Sequence, residues 1–394
     1  MSAPVSLLTK AGTMAATPRT DLRNVLDTSR ALITTLQEPN GAYPASPSFS
    51  AYRGYCWLRD GAFIADGVSA VGAIDSATAF FDWCQRVIVR YEDRIGEIVA
   101  AAAAGDPLAD EAMLPARFTF SGELGHDEWW DFQLDGYGTW LWAADAHARR
   151  HGLDPRRWRR GAELTVDYLL SSWQRPCFDW WEEHDEHVHI STLGCVAAGL
   201  RAAADGSLIG LDRASDARAT ADAVVDEILT RGVSDGHLVK WVGAKTVDAS
   251  LSAVIAPLGV FASDSHITER TLAAVERELC VQDGVHRFRA DTFYGGGRWP
   301  LLSCFLGLAH AARGDRERAR QLLDWAVSTV SEEGTLPEQV DGHLLFPDRR
   351  AEWVERWGDV ANPLLWSHAM VLRLAAQLDE FEHTPDVTEG QASA

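Results

Sequence analysis

Apolar residues recur at helical spacing along nearly the whole chain, in twelve segments separated by polar or glycine- and proline-marked breaks. The first are Asp21–Gln37, Gly61–Val71, Asp75–Ala103 and Gly136–His151. Arg160–Trp173, His189–Ala204, Asp212–Arg231 and Ala249–Phe261 follow. Thr268–Cys280, Arg298–Arg313, Arg316–Glu332 and Asn362–Phe381 complete the set. End signals support several of them: Asp75-Ser76 precedes an apolar run, and Gly105-Asp106-Pro107 closes an alanine tract. Strand-like alternation is scarce, with HLVKWVG at 237–243 as one short candidate. A helix roughly every 33 residues is the spacing of helix–loop–helix units. An open solenoid and a closed toroid of six helical hairpins both satisfy it. The chain shows no regular self-similarity, and its loops differ widely in length and are rich in aromatics, which favours the all-α toroid.

No Pro/Gly/Ser-rich linker divides the chain. The pattern predicts one domain over residues 19–382, a flexible stretch at 1–18 and a disordered acidic tail at 383–394. Hydrophobic residues make up 46% of the 394, enough for a sizeable core. The formal charge of −21 repels phosphate backbones and anionic lipid, so nucleic-acid and membrane partners are not expected. The first residues, MSAPVSLLTKAGTMAA, lack the basic start and apolar core of a secretory signal. Six cysteines, at 56, 84, 177, 195, 280 and 304, form no CxxC pair and read as buried free thiols, which points to the cytoplasm.

Sixteen tryptophans are present, and in three loops they sit beside charged groups: Trp57 with Arg59 and Asp60, Trp129 with Glu128 and Asp131, and Trp181 with Asp179, Glu182 and Glu183. Sugar sites need this mixture, because an aromatic plane stacks on the C–H face of a ring while charged, planar groups bond its hydroxyls. Trp140, Trp142 and Trp325 lie on helical faces and read as core instead. Glycoside hydrolysis needs two carboxyl groups flanking the scissile bond, one of them protonated. Trp180-Trp181-Glu182-Glu183 offers aromatic neighbours and an adjacent carboxylate. Gly334-Thr335-Leu336-Pro337-Glu338-Gln339 is one candidate for the second group, although a glutamate after a loop proline is ordinarily a solvated residue.

Six blocks in order resemble the inverting exo-glucosidases of glycoside hydrolase family 15, the glucoamylase and glucodextranase family. Tyr55-Cys56-Trp57-Leu58-Arg59-Asp60 is similar to Y-x-W-x-R-D, and Trp129 with Gln133-Leu134-Asp135-Gly136 to W-x-x-x-Q-x-D-G. Asp179-Trp180-Trp181-Glu182-Glu183 is similar to D-x-W-E-E. Arg287-Phe288-Arg289-Ala290-Asp291 with Tyr294-Gly295-Gly296 and Trp299 resembles the R-[YF]-x-x-D…Y-x-G…W block. The Gly334–Gln339 segment resembles G-x-x-x-E-Q, and Asn362–Ala369 resembles the P-L-x-W-S-H-A run of the final helix.

The resemblance implies an (α/α)6 toroid without the N-terminal β-sandwich domain of many bacterial members. It implies Glu182 as general acid and Glu338 as general base, with a carboxyl separation of roughly 6.5–9.5 Å for inversion. Arg59, Asp60 and Arg287 would hold the hydroxyls of a terminal glucose between Trp57, Trp129 and Trp181. Tyr55, Gln133, Asp135, Glu183, Asp291 and Trp299 complete the expected site. No metal or cofactor is expected. The absence of a starch-binding module and a signal points to small α-glucosides, with isomaltose first and α-1,4 oligosaccharides or trehalose as alternatives. A non-catalytic sugar-binding toroid is the rival from another class.

One departure stands out. Fungal members carry a water-supporting tyrosine four residues before the motif tryptophan, and here that position is Arg53, with Tyr52 beside it. The run Glu183-His184-Asp185-Glu186-His187-Val188-His189 has metal-like composition but is not HExxH, and it reads as a polar loop beyond the acid. Gly295-Gly296-Gly297 has no lysine after it and reads as a tight turn.

Overall fold

The computed structural model describes residues 21–125 and 132–380. The expected flexible N-terminus and acidic tail lie outside these residues, as do Trp129, Trp130 and Asp131. Among the described residues the α-helices are α1 (Leu22–Leu36), α2 (Leu58–Ala70), α3 (Ile74–Arg90), α4 (Glu92–Ala103), α5 (Asp135–His151), α6 (Arg159–Ser172) and α7 (Ile190–Asp205). They continue with α8 (Leu211–Arg231), α9 (Leu251–Ile255), α10 (His266–Leu279), α11 (Pro300–Ala312), α12 (Arg316–Ser328), α13 (Arg350–Trp357) and α14 (Leu365–Gln377).

Burial sorts the helices into two rings. Helices α2, α5, α7, α9, α11 and α14 are buried on nearly every face, as expected of helices that are apolar all round. Helices α1, α3, α6, α8, α10 and α12 bury one stripe each and cover the outside. The inner ring closes, because each inner helix packs on the next and α14 packs back on α2. The result is the (α/α)6 toroid. Glycines let the inner helices touch backbone to backbone: a Cβ on Gly138 of α5 would stand 2.2 Å from the carbonyl oxygen of Cys195 in α7, and one on Gly67 of α2 would stand 2.5 Å from that of Ala369 in α14.

The periodicity misplaced some boundaries. The segment 75–103 is two helices, broken at Tyr91, which has non-helical backbone angles. The segment 249–261 holds only the five-residue α9, which stops before Pro257, since the residue preceding a proline is pushed out of the helical region. Helix α13 has no counterpart among the expected twelve. In 237–243 only His237–Leu238 is strand (β4), paired antiparallel with Val233–Ser234 (β3). The other strands are as short: Tyr55–Trp57 (β1) pairs with Arg117–Thr119 (β2), and Cys280–Val281 (β5), Gly284–His286 (β6) and Arg298–Trp299 (β7) form a three-stranded sheet.

The two kinds of connection differ. Those leading from an inner helix to the next outer one are shorter: 71–73, 152–158, 206–210, 256–265 and 313–315. Those leading from an outer helix into the next inner one are long: 37–57, 91–134 (which contains α4), 173–189, 232–250, 280–299 and 329–364 (which contains α13). The long connections meet at one end of the ring, where the N-termini of the inner helices lie. None of those six N-termini is capped by its N-cap side chain. Their positive dipole ends therefore face the side chains that the long loops supply.

Candidate active site

Trp57 ends β1 and forms the N-cap of α2, which places Arg59 and Asp60 in the first helical turn. The guanidinium of Arg59 is buried. It donates to Gln133 Oε1 at 2.7 Å and Asp135 Oδ2 at 3.1 Å, lies 3.2 Å from Asp60 Oδ2, and packs against the rings of Trp180 and Trp366. Gln133 and Asp135, at the start of α5, thus fix Arg59. Burial pushes the Asp60 carboxyl up to about 6; Arg59 opposes this, while Glu182 and Asp135 add to it. Tyr55 meets Trp57 edge-on and lies beneath the guanidinium of Arg117, 3.9 Å from its ring centre.

Trp181, Glu182 and Glu183 occupy the loop before α7. Glu182 is half-buried, takes a hydrogen bond from the indole of Trp57, and has φ +60°, a left-handed conformation that costs a non-glycine residue energy. Asp179 holds the loop in shape. Its Oδ1 accepts from the backbone N–H groups of Trp181 at 2.9 Å and Glu183 at 3.0 Å, and its carbonyl accepts from that of Glu182 at 3.0 Å.

Arg287 donates to both oxygens of Asp291, at 2.8 Å to Oδ2 and 2.5 Å to Oδ1, and to Glu183 Oε1 at 3.0 Å. It sits among Trp181, Phe293 and Trp299. Burial alone would lower its pKa; Asp291 and Glu183 more than offset this and raise it. Trp299, the N-cap of α11, packs against Trp181 with centroids 5.6 Å apart.

Glu338 is 2% exposed, against the solvated loop position its local sequence suggested. Its backbone is tied down from α14 and the segment just before it. Glu338 N donates to Ala361 O at 2.9 Å, Ser367 Oγ to Pro337 O at 2.8 Å, and Leu336 N to His368 Nε2 at 2.9 Å. Oε1 accepts from the Tyr52 hydroxyl at 2.8 Å, and Oε2 has no hydrogen-bond partner among the described residues. Burial pushes the carboxyl up to about 8; the Tyr52 bond and Arg287 pull it down, while Asp60 and Asp291 push it further.

Tyr52 and Trp57 join the two glutamates. Their rings meet edge-on, centroids 5.3 Å apart, with Tyr52 bonding Glu338 and Trp57 bonding Glu182. Eleven of the twelve expected sugar-site residues therefore gather with both glutamates at one end of the toroid, and Trp129 lies outside the described residues. Sequence reasoning passed over Tyr52, noted only as a neighbour of Arg53, and over Lys240 and Asp248, which support the Trp181 loop. The signal for Lys240 was a lone charge in the apolar run HLVKWVG. His184, His187 and His189 surround Trp241, and His187 stacks on its ring at 4.2 Å.

A toroid of paired helices with two glutamates, arginines and tryptophans gathered at one mouth is the arrangement of a glycoside hydrolase. The chain belongs to glycosyl hydrolases family 15, whose sequence model matches residues 20–376. It is 52% identical over 353 residues to the isomaltose glucohydrolase of Kribbella flavida, an alignment that covers 89% of this chain and 91% of that one. A solved glycosidase carrying a glutamate-to-alanine substitution, in complex with glucose, superposes with a TM-score of 0.89 at 50% identity, covering 91% of this chain and 97% of its own. A bacterial glucoamylase bound to acarbose shares the fold at 19% identity, with a TM-score of 0.71 over 91% of this chain and 56% of its own.

Proposed function

We propose that this glycoside hydrolase is an inverting, exo-acting α-glucosidase that removes glucose from the non-reducing end of small α-glucosides, isomaltose first, inside the cell. The observation that carries the mechanism is the Glu182–Trp57–Tyr52–Glu338 chain of contacts, which links two carboxyl groups from loops 156 residues apart in sequence. Arg59, Asp60 and Arg287 bind the hydroxyls of the terminal glucose, and Trp57 and Trp181 wall it. Glu182 gives its proton to the glycosidic oxygen as the bond from the anomeric carbon to that oxygen breaks. Glu338 takes a proton from water, whose oxygen bonds the anomeric carbon from the opposite face and yields β-glucose. Two carboxyl groups and one water balance the reaction.

The preference for isomaltose rests on the likeness to the Kribbella flavida protein along most of both chains. The location inside the cell is supported by the six free cysteines, five of them buried. Among the described residues no helix is long and apolar enough to cross a membrane.

One observation favours a second reading. The raised carboxyl of Glu338 would suit a proton donor, which exchanges the roles of the two glutamates. α-Glucosyl fluoride separates the readings, because fluoride leaves without protonation. Glu182→Gln should lose disaccharide turnover by at least about 10²-fold and keep much of its activity on the fluoride, whereas Glu338→Gln should lose both. The opposite pattern establishes the exchanged roles. A panel of isomaltose, panose, maltose, kojibiose, nigerose and trehalose, followed by NMR of the first anomer released, tests the rest. On isomaltose, a non-reducing-end glucose released first as the α-anomer refutes inversion, and bound but uncleaved sugars point to the non-catalytic toroid.

A further inference from the structure

The loop that carries Glu182 is tied to the next loop of the ring through one buried cation. Lys240, 4% exposed, donates to Asp179 Oδ2 at 2.7 Å and to Asp248 Oδ2 at 2.6 Å. Asp179 spends its other oxygen on the backbone N–H groups of Trp181 and Glu183, on either side of Glu182. Asp248 Oδ2 also accepts from the Trp181 indole at 2.9 Å. Its Oδ1 accepts from Ser250 N at 2.9 Å and Ser250 Oγ at 2.6 Å, at the start of α9. The lysine is itself anchored: Lys240 N donates to Thr246 O at 2.8 Å, Ile190 N donates to Lys240 O at 3.1 Å, and its ammonium lies 4.0 Å from the ring centre of Phe288. These bonds end on the backbone of the loop and on the Trp181 indole, so the effect of the network is on where the loop sits.

We infer that Lys240 is a positioning residue for proton donation: with Asp179 and Asp248 it holds the Trp181–Glu183 loop in the strained turn that aims Glu182 at the glycosidic oxygen. Two buried carboxylates would repel each other and loosen this turn; one ammonium between them draws both inward. Burial alone would lower the pKa of Lys240, but the two aspartates raise it, so it stays charged across the working range. The strain of a positive φ at Glu182 persists only where neighbouring bonds over-determine it, and this network supplies those bonds.

The inference rests on Glu182 as the proton donor, and leaving-group dependence tests the two separately. Lys240→Met, with Glu182→Gln beside it, is assayed on α-glucosyl fluoride and on the disaccharide turned over fastest by the parent enzyme. A displaced donor costs about 10²-fold in kcat on the disaccharide while KM stays within a few-fold, and the fluoride rate falls far less. Equal losses on both substrates, or an unchanged disaccharide kcat, overturn the role of Lys240. Equal losses in Glu182→Gln overturn the donor assignment instead. Should Lys240→Met fail to melt cooperatively, Asp248→Asn takes its place. It keeps the Lys240–Asp179 pair while weakening the hold on Trp181, and the same asymmetry, smaller in size, is required of it.

Discussion

Burial drives the carboxyl of Glu338 upward, and the hydroxyl of Tyr52 is the strongest influence pulling it back. The consequence for pH dependence has a definite sign. A base must be ionised to act, so the acidic limb of the kcat/KM profile follows the ionisation of Glu338 in the free enzyme. That limb should lie above the ordinary glutamate range, toward the value of about 8 that burial sets. Tyr52→Phe removes a donor that favours the ionised form, so the limb should move to still higher pH and kcat at neutral pH should fall roughly 10-fold or more. A pH–rate series on both proteins checks this, and a limb that moves down in the variant contradicts the assigned role. At this scale the sequence was legible where chemistry announces itself locally. Glu182 sits among tryptophans and acids. Glu338 looked like a surface residue, because what buries it comes from 52 and from the 361–368 segment, and only the order of motifs marked it. Lys240 and Asp248 were hidden for a related reason: their partner Asp179 lies in another hairpin.

The helical elements were legible wherever a helix packs one face, since a one-sided stripe is what periodicity detects. The inner helices were found as well, but with shifted ends. Helix α2 begins at Leu58, three residues before its expected start, because Arg59 and Asp60 look like loop residues until the site that buries them is known. Backbone contact between α5 and α7 gives a prediction at this scale. In Gly138→Ala the new methyl meets the Cys195 carbonyl, and in Gly199→Ala it meets that of Gly138, 2.3 Å away. Rigid backbone is the obstacle in both cases, so each substitution should destabilise by about 1–3 kcal/mol in urea unfolding. Alanine in place of Gly152, with open space around it but φ +64°, should cost less than that and report only backbone strain.

For the molecule as a whole, closure is the central event. Asp66 of α2, 1% exposed, bonds Arg150 at the end of α5 at 2.7 Å and Arg373 of α14 at 2.9 Å. One carboxylate thereby joins three consecutive helices of the inner ring, including the two that come from opposite ends of the domain. Burial alone would raise its pKa; the two arginines more than offset this and lower it. Asp66→Asn should lower stability by about 3 kcal/mol while leaving the pH–rate profile unmoved, because no site residue touches it. Calorimetry paired with kinetics checks both halves. The toroid itself was legible from helix number and loop irregularity, and the family motifs agreed with it. Which ring each helix joins was not, since that depends on which partners cover it.

The division of labour between the two kinds of connection has a consequence for how the chain can be rewired. With the long loops committed to the pocket and the short turns on the other side doing little but reversing direction, the gene can be opened at a short turn and the old termini joined. Circular permutants that begin within 206–210 or 313–315 should keep the order of parts around the pocket and retain turnover. One that begins within 173–189 or 329–364 should close the same ring around a pocket missing a wall.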